Sequence, residues 1–285
     1  MNNHIDSQDL ECPHCPLCGS EEKDKLYDKF NPYSVVLCRS CGVYYLLPRL
    51  KEHVVLKIYR DSEYFEDTSA GYTSYIEQEK SLRATFRRLM INLKKRNVTG
   101  GDLLEVGCGY GYLLDEASSF FETRTGTEFS IQAVTEASSK ADHIYQGGIE
   151  QIPVDKKFDC IIINQVIEHV YKPVEFLETL ITHLNPGGRM VIATPDMGSF
   201  WRRVMGHHWP SFKIPEHILF FDKHSLHKLM GQVGLLQIKS LPYSHAFPLS
   251  LIAAKLNISL PAVLGKINMW LPATTIAMYG VLNDG

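Results

Sequence analysis

One stretch of nine residues, LLEVGCGYG at positions 103–111, constrains this chain more than any other. It is a short apolar run with one acid, Glu105, that leads into three glycines at alternate positions. An amphipathic segment with apolar residues at helical spacing follows over residues 112–121. Glycine has no Cβ, so the backbone of such a turn can come close to a ligand. The stretch therefore predicts a strand, a tight glycine turn and a helix, with a ligand at the turn.

A second acid, Glu128, ends the next strand-like run, TGTE at positions 125–128. It lies about 20 residues beyond the turn, where nucleotide-binding βαβ units place the carboxylate that binds the ribose. The glycines are spaced G-x-G-x-G and not G-x-G-x-x-G, so the pattern implies no backbone cradle for a pyrophosphate. The two features together predict a ribose-binding site beside the turn.

Further segments extend this pattern downstream. FDCIII at 158–163 and VIEHV at 166–170 look like a buried strand and the loop after it. LNPGG at 184–188 and MVIATP at 190–195 look like the next strand with its hairpin. Together with the glycine turn, these segments resemble class I S-adenosylmethionine-dependent methyltransferases across roughly residues 100–240. The resemblance implies S-adenosylmethionine as methyl donor and a Rossmann-like α/β fold, a mostly parallel seven-stranded sheet with helices on both faces.

The resemblance also implies which residues contact the cofactor. Glu105 and the glycine turn would surround the methionine end, Glu128 would bind the two ribose hydroxyls, and Phe129 would line the adenine. Ile149 or Glu150 would contact the edge of the base. The expected cofactor-binding residues are Glu105, Gly107, Cys108, Gly109, Gly111, Glu128, Phe129, Gly148, Ile149 and Asn164, the last beside the methionine portion.

Strand-like and helical segments alternate from about residue 100 onward, which predicts a parallel sheet. Its strands are expected near residues 102–106, 124–128, 143–146, 159–163 and 189–194, with an antiparallel pair at 235–241 and 276–282. Asp222 is expected to cap a helix that Gly234 ends. Ligands of such sheets bind outside the carboxyl ends of the strands, so the turn, Glu128 and the later loops are expected on one rim.

Two histidines are the candidates for a catalytic base. Methyl transfer to a hydroxyl needs a group that takes the proton, and histidine titrates near neutral pH. His169 follows the fourth strand in a stretch that resembles ubiquinone-pathway O-methyltransferases, and His217 follows the fifth strand on the acceptor side. Two alternatives stay open: either imidazole only orients a loop, or Glu168 with His169 binds a divalent metal that polarises the acceptor.

The cysteines predict a metal site near the start of the chain. Two C-x-x-C pairs, each followed by glycine, lie about 20 residues apart, which is the spacing of a zinc ribbon. The expected ligands are Cys15, Cys18, Cys38 and Cys41. Cys12 is an alternative ligand one knuckle upstream, whereas Cys108 and Cys160 have apolar neighbours and are expected to pack as small hydrophobes.

The chain is therefore expected to contain three regions. They are a zinc-ribbon module at 1–48, a helical lid or linker at 49–99, and the methyltransferase domain at 100–285 with an apolar helical insertion at 246–274. An amphipathic helix is expected over residues 82–93, and its basic side is interpreted as a solvated face. For the insertion, four interpretations stay open: packing against the sheet, a homodimer interface, a lid or wall for a hydrophobic acceptor, or a peripheral membrane contact.

The charge and hydropathy of the chain indicate which classes of partner and which location to expect. A formal net charge of −3 argues against a nucleic-acid partner. No apolar run of 18 residues and no apolar leader are seen, so a cytoplasmic protein without a transmembrane segment is expected. We therefore expect methyl transfer to a small-molecule acceptor, a hydroxyl of a sugar, lipid-linked or natural-product intermediate. The alternatives are an RNA methyltransferase that uses the ribbon and a sugar-nucleotide C-methyltransferase; the intact glycines and Glu128 disfavour a non-catalytic scaffold.

Overall fold

A computed structural model of the protein describes residues 7–55, 78–250, 253 and 267–283. The strands in these ranges are β1 (Leu10–Glu11), β2 (Lys23–Phe30), β3 (Tyr33–Cys38), β4 (Tyr44–Leu47), β5 (Arg49–Leu50), β6 (Asp102–Val106), β7 (Thr123–Glu128), β8 (His143–Gln146), β9 (Phe158–Asn164), β10 (Leu184–Pro195), β11 (Leu219–Phe220), β12 (Leu236–Leu241), β13 (Ser244–Pro248), β14 (Asn268–Pro272) and β15 (Thr275–Val281). The α-helices are α1 (Glu79–Lys94), α2 (Tyr112–Glu116), α3 (Ile131–Ala137), α4 (Pro173–Ile181), α5 (Phe200–Met205) and α6 (Lys223–Gln232).

Seven of these strands form one sheet in the order β12-β15-β10-β9-β6-β7-β8. The pairs from β10 to β8 are parallel, whereas β15 runs antiparallel to both of its neighbours. The predicted sheet, with its antiparallel C-terminal pair, is confirmed. The chain runs outward from β6 to β8 and then returns to β9 on the other side of β6. Ligands of open α/β sheets bind at such a reversal, outside the carboxyl ends of the strands.

Helices cover both faces of this sheet. On one face α1, α2 and α3 pack through side chains such as Phe86, Leu113 and Ala133. On the other face α4 and α6 pack through Leu177 and Leu229. The central strands are continuous apolar runs because their side chains are buried on both sides.

Helix α1 contains the amphipathic segment predicted at 82–93. Its buried stripe includes Leu82, Phe86, Leu89 and Leu93. On its basic side, Arg83 binds Glu79 at 2.6 Å and Asp115 at 2.7 Å, and Arg87 binds Glu116 at 2.8 Å. These ion pairs neutralise part of the basic face and attach α1 to α2.

Both ends of α6 follow the predicted signals. The Asp222 carboxylate accepts the backbone N–H of Ser225 at 2.8 Å, and the Ser225 hydroxyl accepts the N–H of Asp222 at 3.0 Å. Gly234 has a φ of +86°, a conformation that favours glycine and lets the chain turn from α6 into β12.

The region predicted as a ribbon contributes to a second sheet, in the order β11-β4-β3-β2. Strands β2, β3 and β4 are antiparallel neighbours. Strand β11 comes from the segment between β10 and α6, far along the chain. The ribbon is therefore joined to the methyltransferase region by strand pairing.

The apolar insertion differs from its prediction at both ends. Instead of helices, β13 and β14 form an antiparallel pair with Ala246 opposite Trp270. Helical spacing is a pattern along one stretch, whereas this strand pair joins the two ends of the insertion and therefore leaves no pattern between neighbouring residues. The aromatic residues at both ends also favour strands. Residues 251, 252 and 254–266 of the insertion, and residues 56–77 of the predicted lid, lie outside the described ranges. In the part of the chain that is described, no helix combines the length and apolar character needed to cross a bilayer.

Candidate active site

The glycine turn lies at the carboxyl end of β6, where the strand order reverses. Gly107, Gly109 and Gly111 have positive φ values of 68°, 53° and 73°. A Cβ on Gly107 would lie 2.7 Å from the side chain of Val166, so this position requires glycine for space as well as for conformation. The turn therefore packs directly against the loop after β9.

Glu128, at the end of β7, is bonded to this turn. One carboxylate oxygen accepts the N–H of Gly109 at 2.9 Å, and the other accepts the N–H of Ser130 at 3.0 Å. Burial raises the pKa of this carboxyl, and the backbone N–H groups oppose that shift. Carboxylate oxygens retain lone pairs for further donors, so Glu128 can also accept the two hydroxyls of a ribose.

Glu105 is a buried acid on the neighbouring strand β6. Its side chain is 3% exposed, and Oε2 has no hydrogen-bond partner within the described part of the chain. Burial, followed by the charge of Glu128, raises the pKa of this carboxyl well above its usual range. A buried polar atom without a partner is costly, and the ammonium group of an amino-acid moiety would satisfy it. The two acids therefore fit a ligand with a ribose at one end and an amine at the other.

Phe129 and Gly148 form the side of the site expected to hold the base. A Cβ on Gly148 would lie 3.2 Å from the Phe129 ring, so the two residues share one surface. Glu150 accepts the N–H of Gly148 at 2.9 Å, whereas Ile149 packs against the core. The geometry thus places the acid of Glu150, rather than the side chain of Ile149, beside Phe129.

Cys108 lies inside the turn, but its side chain faces the sheet. It is 4% exposed, and a Cβ on Gly126 would lie 2.7 Å from its sulfur. The thiol therefore packs as a small apolar group against β7, and only the backbone of Cys108 borders the expected cofactor site.

A cluster of Glu168, His169 and His217 lies on the acceptor side. One ligand-capable atom from each residue lies within 4.8 Å of the others. The two imidazole rings are perpendicular, with centroids 4.7 Å apart. Glu168 and His217 are buried, and His169 is partly exposed. The sequence predicted both histidines on this rim, and the structure brings them into contact.

Hydrogen bonds fix where protons sit in this cluster. Nδ1 of His169 lies 3.1 Å from the carbonyl oxygen of Glu216. A carbonyl only accepts, so Nδ1 carries the proton, and the neutral ring has its lone pair on Nε2. The Thr194 hydroxyl donates to Oε2 of Glu168 at 2.9 Å. Oε1 of Glu168 and Nδ1 of His217 are buried with no hydrogen-bond partner among the residues described.

Burial controls the charge of the cluster. It raises the pKa of Glu168 to about 7. Burial, followed by the charge of Lys213, lowers the pKa of His169 to about 4. Burial, with smaller effects from His169 and Lys213, lowers the pKa of His217 well below its usual value. At neutral pH the imidazoles are therefore uncharged and able to accept a proton, while Glu168 titrates close to that pH.

Tyr243 and His245 complete this side of the site, and neither was predicted. The Tyr243 hydroxyl donates to Oδ1 of Asn164 at 3.1 Å. Burial, then the charges of Glu105 and Glu168, raises the pKa of Tyr243, so this side chain lies near both halves of the site. Burial and Lys213 lower the pKa of His245 to about 4. The available signal was the aromatic residues Tyr243 and Phe247, a residue type that favours strands but does not give their position.

The four cysteines predicted as metal ligands converge in the ribbon region. Sγ of Cys15 lies 3.4 Å from Sγ of Cys41, and Sγ of Cys18 lies 3.6 Å from Sγ of Cys38. Thiolates around a tetrahedral zinc at about 2.3 Å would be roughly 3.8 Å apart, so the arrangement fits that ion. Cys12 is exposed and lies outside the group.

The family of the chain follows from comparison with known proteins. The family described as a methyltransferase domain matches residues 75–239, which is more than half of the 285 residues. The chain belongs to the class I S-adenosylmethionine-dependent methyltransferases. Its fold and glycine turn, predicted from the sequence, agree with that membership.

Two relatives and one solved structure illustrate the similarity. A probable S-adenosylmethionine-dependent methyltransferase of Mycolicibacterium smegmatis is 29% identical over 104 residues, covering 35% of this methyltransferase and 40% of the relative. A ubiquinone biosynthesis O-methyltransferase of Bradyrhizobium diazoefficiens is 26% identical over 156 residues, covering 47% of this methyltransferase and 62% of the relative. The aligned parts span less than two thirds of these relatives.

Among solved structures, the fold resembles magnesium protoporphyrin IX methyltransferase from Synechocystis, which was solved with bound S-adenosylhomocysteine. The TM-score is 0.53 at 13% identity, covering 82% of this methyltransferase and all of the other chain. At that identity the likeness supports the fold alone.

Proposed function

We propose that this methyltransferase transfers the methyl group of S-adenosylmethionine to a hydroxyl oxygen of a small-molecule acceptor. The observation that carries the proposal is the position of His169. Its loop packs against the glycine turn through Val166, and its neutral ring has a lone pair on Nε2. A proton acceptor thus lies beside the expected cofactor, where a hydroxyl must lose its proton during attack.

The cofactor would be held by the residues around the turn. Glu105 would bind the amine, Glu128 the ribose hydroxyls, and Phe129 the adenine face. When bound, the sulfonium supplies an activated methyl group for in-line displacement. The chain's own contribution is then to orient the acceptor and exclude water, since binding both reactants in one geometry lowers the entropic part of the barrier.

Proton transfer is assigned to His169. Nε2 would accept the hydroxyl proton while the Glu216 carbonyl keeps the Nδ1 proton in place. Ionised Glu168, in the same cluster, would stabilise the imidazolium that forms. Asn164 and Tyr243 would border the methionine portion and the acceptor, since they bond to each other at the end of β9.

Oxygen is favoured as the methylated atom by two facts. Bases suited to hydroxyl deprotonation are present, and a similar protein is a ubiquinone biosynthesis O-methyltransferase. Methylation of RNA or of a sugar carbon stays an alternative. Ion pairing of Arg83 and Arg87 with acids, and of Arg39 with Asp24 in the ribbon, weakens the case for RNA because these cations are already neutralised.

A second candidate mechanism rests on the unpartnered atoms of the cluster. Oε1 of Glu168 and Nδ1 of His217 are buried and have no hydrogen-bond partner in the described ranges, and with His169 they could hold a divalent cation. Such a cation would lower the pKa of a bound hydroxyl. His169 would then be a ligand and not the base.

We further propose a structural zinc at Cys15, Cys18, Cys38 and Cys41, because four thiolates leave no open position for chemistry. A cytoplasmic location and a homodimer stay predictions from the sequence.

The base assignment is tested by His169→Ala, with His227→Ala on the exposed side of α6 as the matched control. We expect the mutant to bind S-adenosylmethionine normally while kcat falls by about 10²–10⁴-fold, because the general base is lost. Calorimetry measures the binding of S-adenosylmethionine, and steady-state kinetics with and without a chelator measure kcat. Loss of wild-type activity in the chelator while the zinc content stays unchanged would favour the cation, and normal turnover by His169→Ala would remove His169 from the mechanism.

A further inference from the structure

The ribbon's sheet includes the segment that follows His217. Strand β4 pairs with β11, with Leu219 opposite Tyr45 and Phe220 opposite Tyr44. The N–H of Leu46 donates to the carbonyl of Ile218 at 2.9 Å. All of these side chains except Tyr44 are at most 2% exposed, so the pairing is part of a buried core. The backbone immediately after His217 is therefore held by a ribbon strand.

The loop that carries Glu168 and His169 is held by the ribbon at a different point. Tyr171, two residues after His169, donates its hydroxyl to the carbonyl of Leu50 at 2.6 Å. The guanidinium of Arg49 lies 4.3 Å from the centre of the Tyr171 ring. Arg49 and Leu50 form β5, which lies just past the predicted end of the ribbon at residue 48 and pairs with the ribbon strand β1. Both loops of the cluster thus contact the ribbon through separate residues.

The two loops are also joined to each other by hydrogen bonds. The N–H of Ile218 donates to the carbonyl of Glu168 at 3.0 Å. Nδ1 of His169 donates to the carbonyl of Glu216 at 3.1 Å. Each loop is therefore held by contacts with the other loop as well as by its own contacts with the strands of the ribbon region.

The cysteine site is directly connected to the strand that makes this contact. Cys38 is the last residue of β3, and its N–H donates to the carbonyl of Val43 at 2.9 Å, one residue before β4. Cys15, Cys38, Cys41 and Tyr45 are buried in the same core. The position of Cys38 therefore affects the start of β4 directly through this hydrogen bond.

We propose that the ribbon is a positioning element for the catalytic cluster, with a metal at the four cysteines keeping β4 and β5 in the register that holds both loops. The catalytic role of the cluster rests on the proposed function, whereas the positioning does not. The ribbon surface supports positioning over nucleic-acid recognition, because its outer strand β2 alternates lysines with aspartates.

The first test compares Cys38→Ser with Cys12→Ser in the full chain. Cys12 is an exposed cysteine outside the metal group and serves as the matched control. We expect Cys38→Ser to lose its zinc, and amide hydrogen exchange in residues 166–172 and 214–221 to rise about tenfold or more. Affinity for S-adenosylhomocysteine should stay within about threefold, because that site is built on β6 and β7. Unchanged exchange after zinc loss would overturn the proposal.

A second variant, Tyr171→Phe, tests whether the ribbon positions the catalytic cluster if Cys38→Ser does not fold. It removes one hydroxyl and keeps the ring on Arg49, so zinc content should be unchanged. We expect faster exchange in residues 166–172 and a kcat about three- to tenfold lower, with the KM for the donor unchanged. Wild-type exchange in this variant would overturn the proposal. If the wild type methylated no acceptor, the proposed function would fail, yet the exchange measurements would still decide whether the ribbon positions these loops.

Discussion

Two buried carboxylates on adjacent strands have different partners in this site. Both oxygens of Glu128 accept backbone N–H groups, whereas Oε2 of Glu105 has no partner among the residues that the structure describes. Glu128 therefore stabilises the glycine turn even without a ligand, and on the proposed function Glu105 would gain a partner when the amine binds. On the same proposal the carboxylate of Glu128 would link the shape of the turn to cofactor affinity.

Replacing Glu128 with alanine tests that link. The change removes charge-assisted hydrogen bonds to the ribose, each worth about 1.5–3 kcal/mol. We expect the affinity for S-adenosylmethionine to fall by well over tenfold, as measured by calorimetry. An affinity equal to that of the wild type would remove Glu128 from the cofactor site.

Glu168 makes stability depend on pH. Its pKa rises from 4.5 to about 7 on folding, so between those values the folded protein keeps a proton that the unfolded chain releases. The stability this group contributes is complete below about pH 4.5 and is lost as the pH rises through 7. One pKa unit corresponds to about 1.4 kcal/mol, so the loss is on the order of 3 kcal/mol.

We therefore expect Glu168→Gln to lose less stability than the wild type between pH 5 and pH 7. Urea unfolding at both pH values, with a chelator present, measures the difference. His169 has a lowered pKa and acts in the opposite direction, with stability lost as the pH falls towards 4, but it does so in both proteins and cancels from the comparison. Equal pH dependence in the two proteins would contradict the buried, protonated Glu168.

Among the elements, those with local signals were predictable from the sequence. The glycine turn, the parallel strands and the Asp222 cap depend on spacing and on residue types within a few positions. The contact between His169 and His217 was not predictable, since it depends on β11 pairing with a ribbon strand more than 170 residues earlier in the chain. The β13–β14 pair and Tyr243 were missed for the same reason: helical periodicity along a stretch carries no information about pairing between its ends.

Strand β7 offers a test of packing at the level of one element. A Cβ on Gly126 would lie 2.7 Å from the Cys108 sulfur, 2.8 Å from Ile144 and 2.9 Å from Leu114. We expect Gly126→Ala to reduce the free energy of unfolding by about 1–3 kcal/mol through overpacking.

The matched control is Gly231→Ala in α6, where the nearest atom to an added Cβ lies at 3.7 Å. Alanine is favoured over glycine in a helix by about 1 kcal/mol, so this variant should be as stable as the wild type or more stable. Thermal unfolding of both variants measures the contrast. A Gly126→Ala protein with wild-type stability would contradict the close packing of β7 against the glycine turn, β8 and α2.

At the scale of the whole molecule, the ribbon and the methyltransferase region share a sheet and a core. The proposed cofactor residues lie on β6 and β7 and in the turns that follow β6, β7 and β8, while the proposed acceptor cluster lies in loops after β9 and β10. On this proposal the molecule has a cofactor half and an acceptor half, and the second is the half that contacts the ribbon. We attribute acceptor choice to the second half, since its residues come from the segments that sequence patterns predicted least well.

The most direct test of this account is to find the atom that receives the methyl group. The enzyme would be given S-adenosylmethionine with a deuterated methyl group and a panel of phenols, catechols, sugars and amines, and products would be identified by NMR. We predict label on a hydroxyl oxygen, with the rate reduced about 10²–10⁴-fold in His169→Ala. Label on nitrogen or carbon, or an undiminished rate in that variant, would contradict the account.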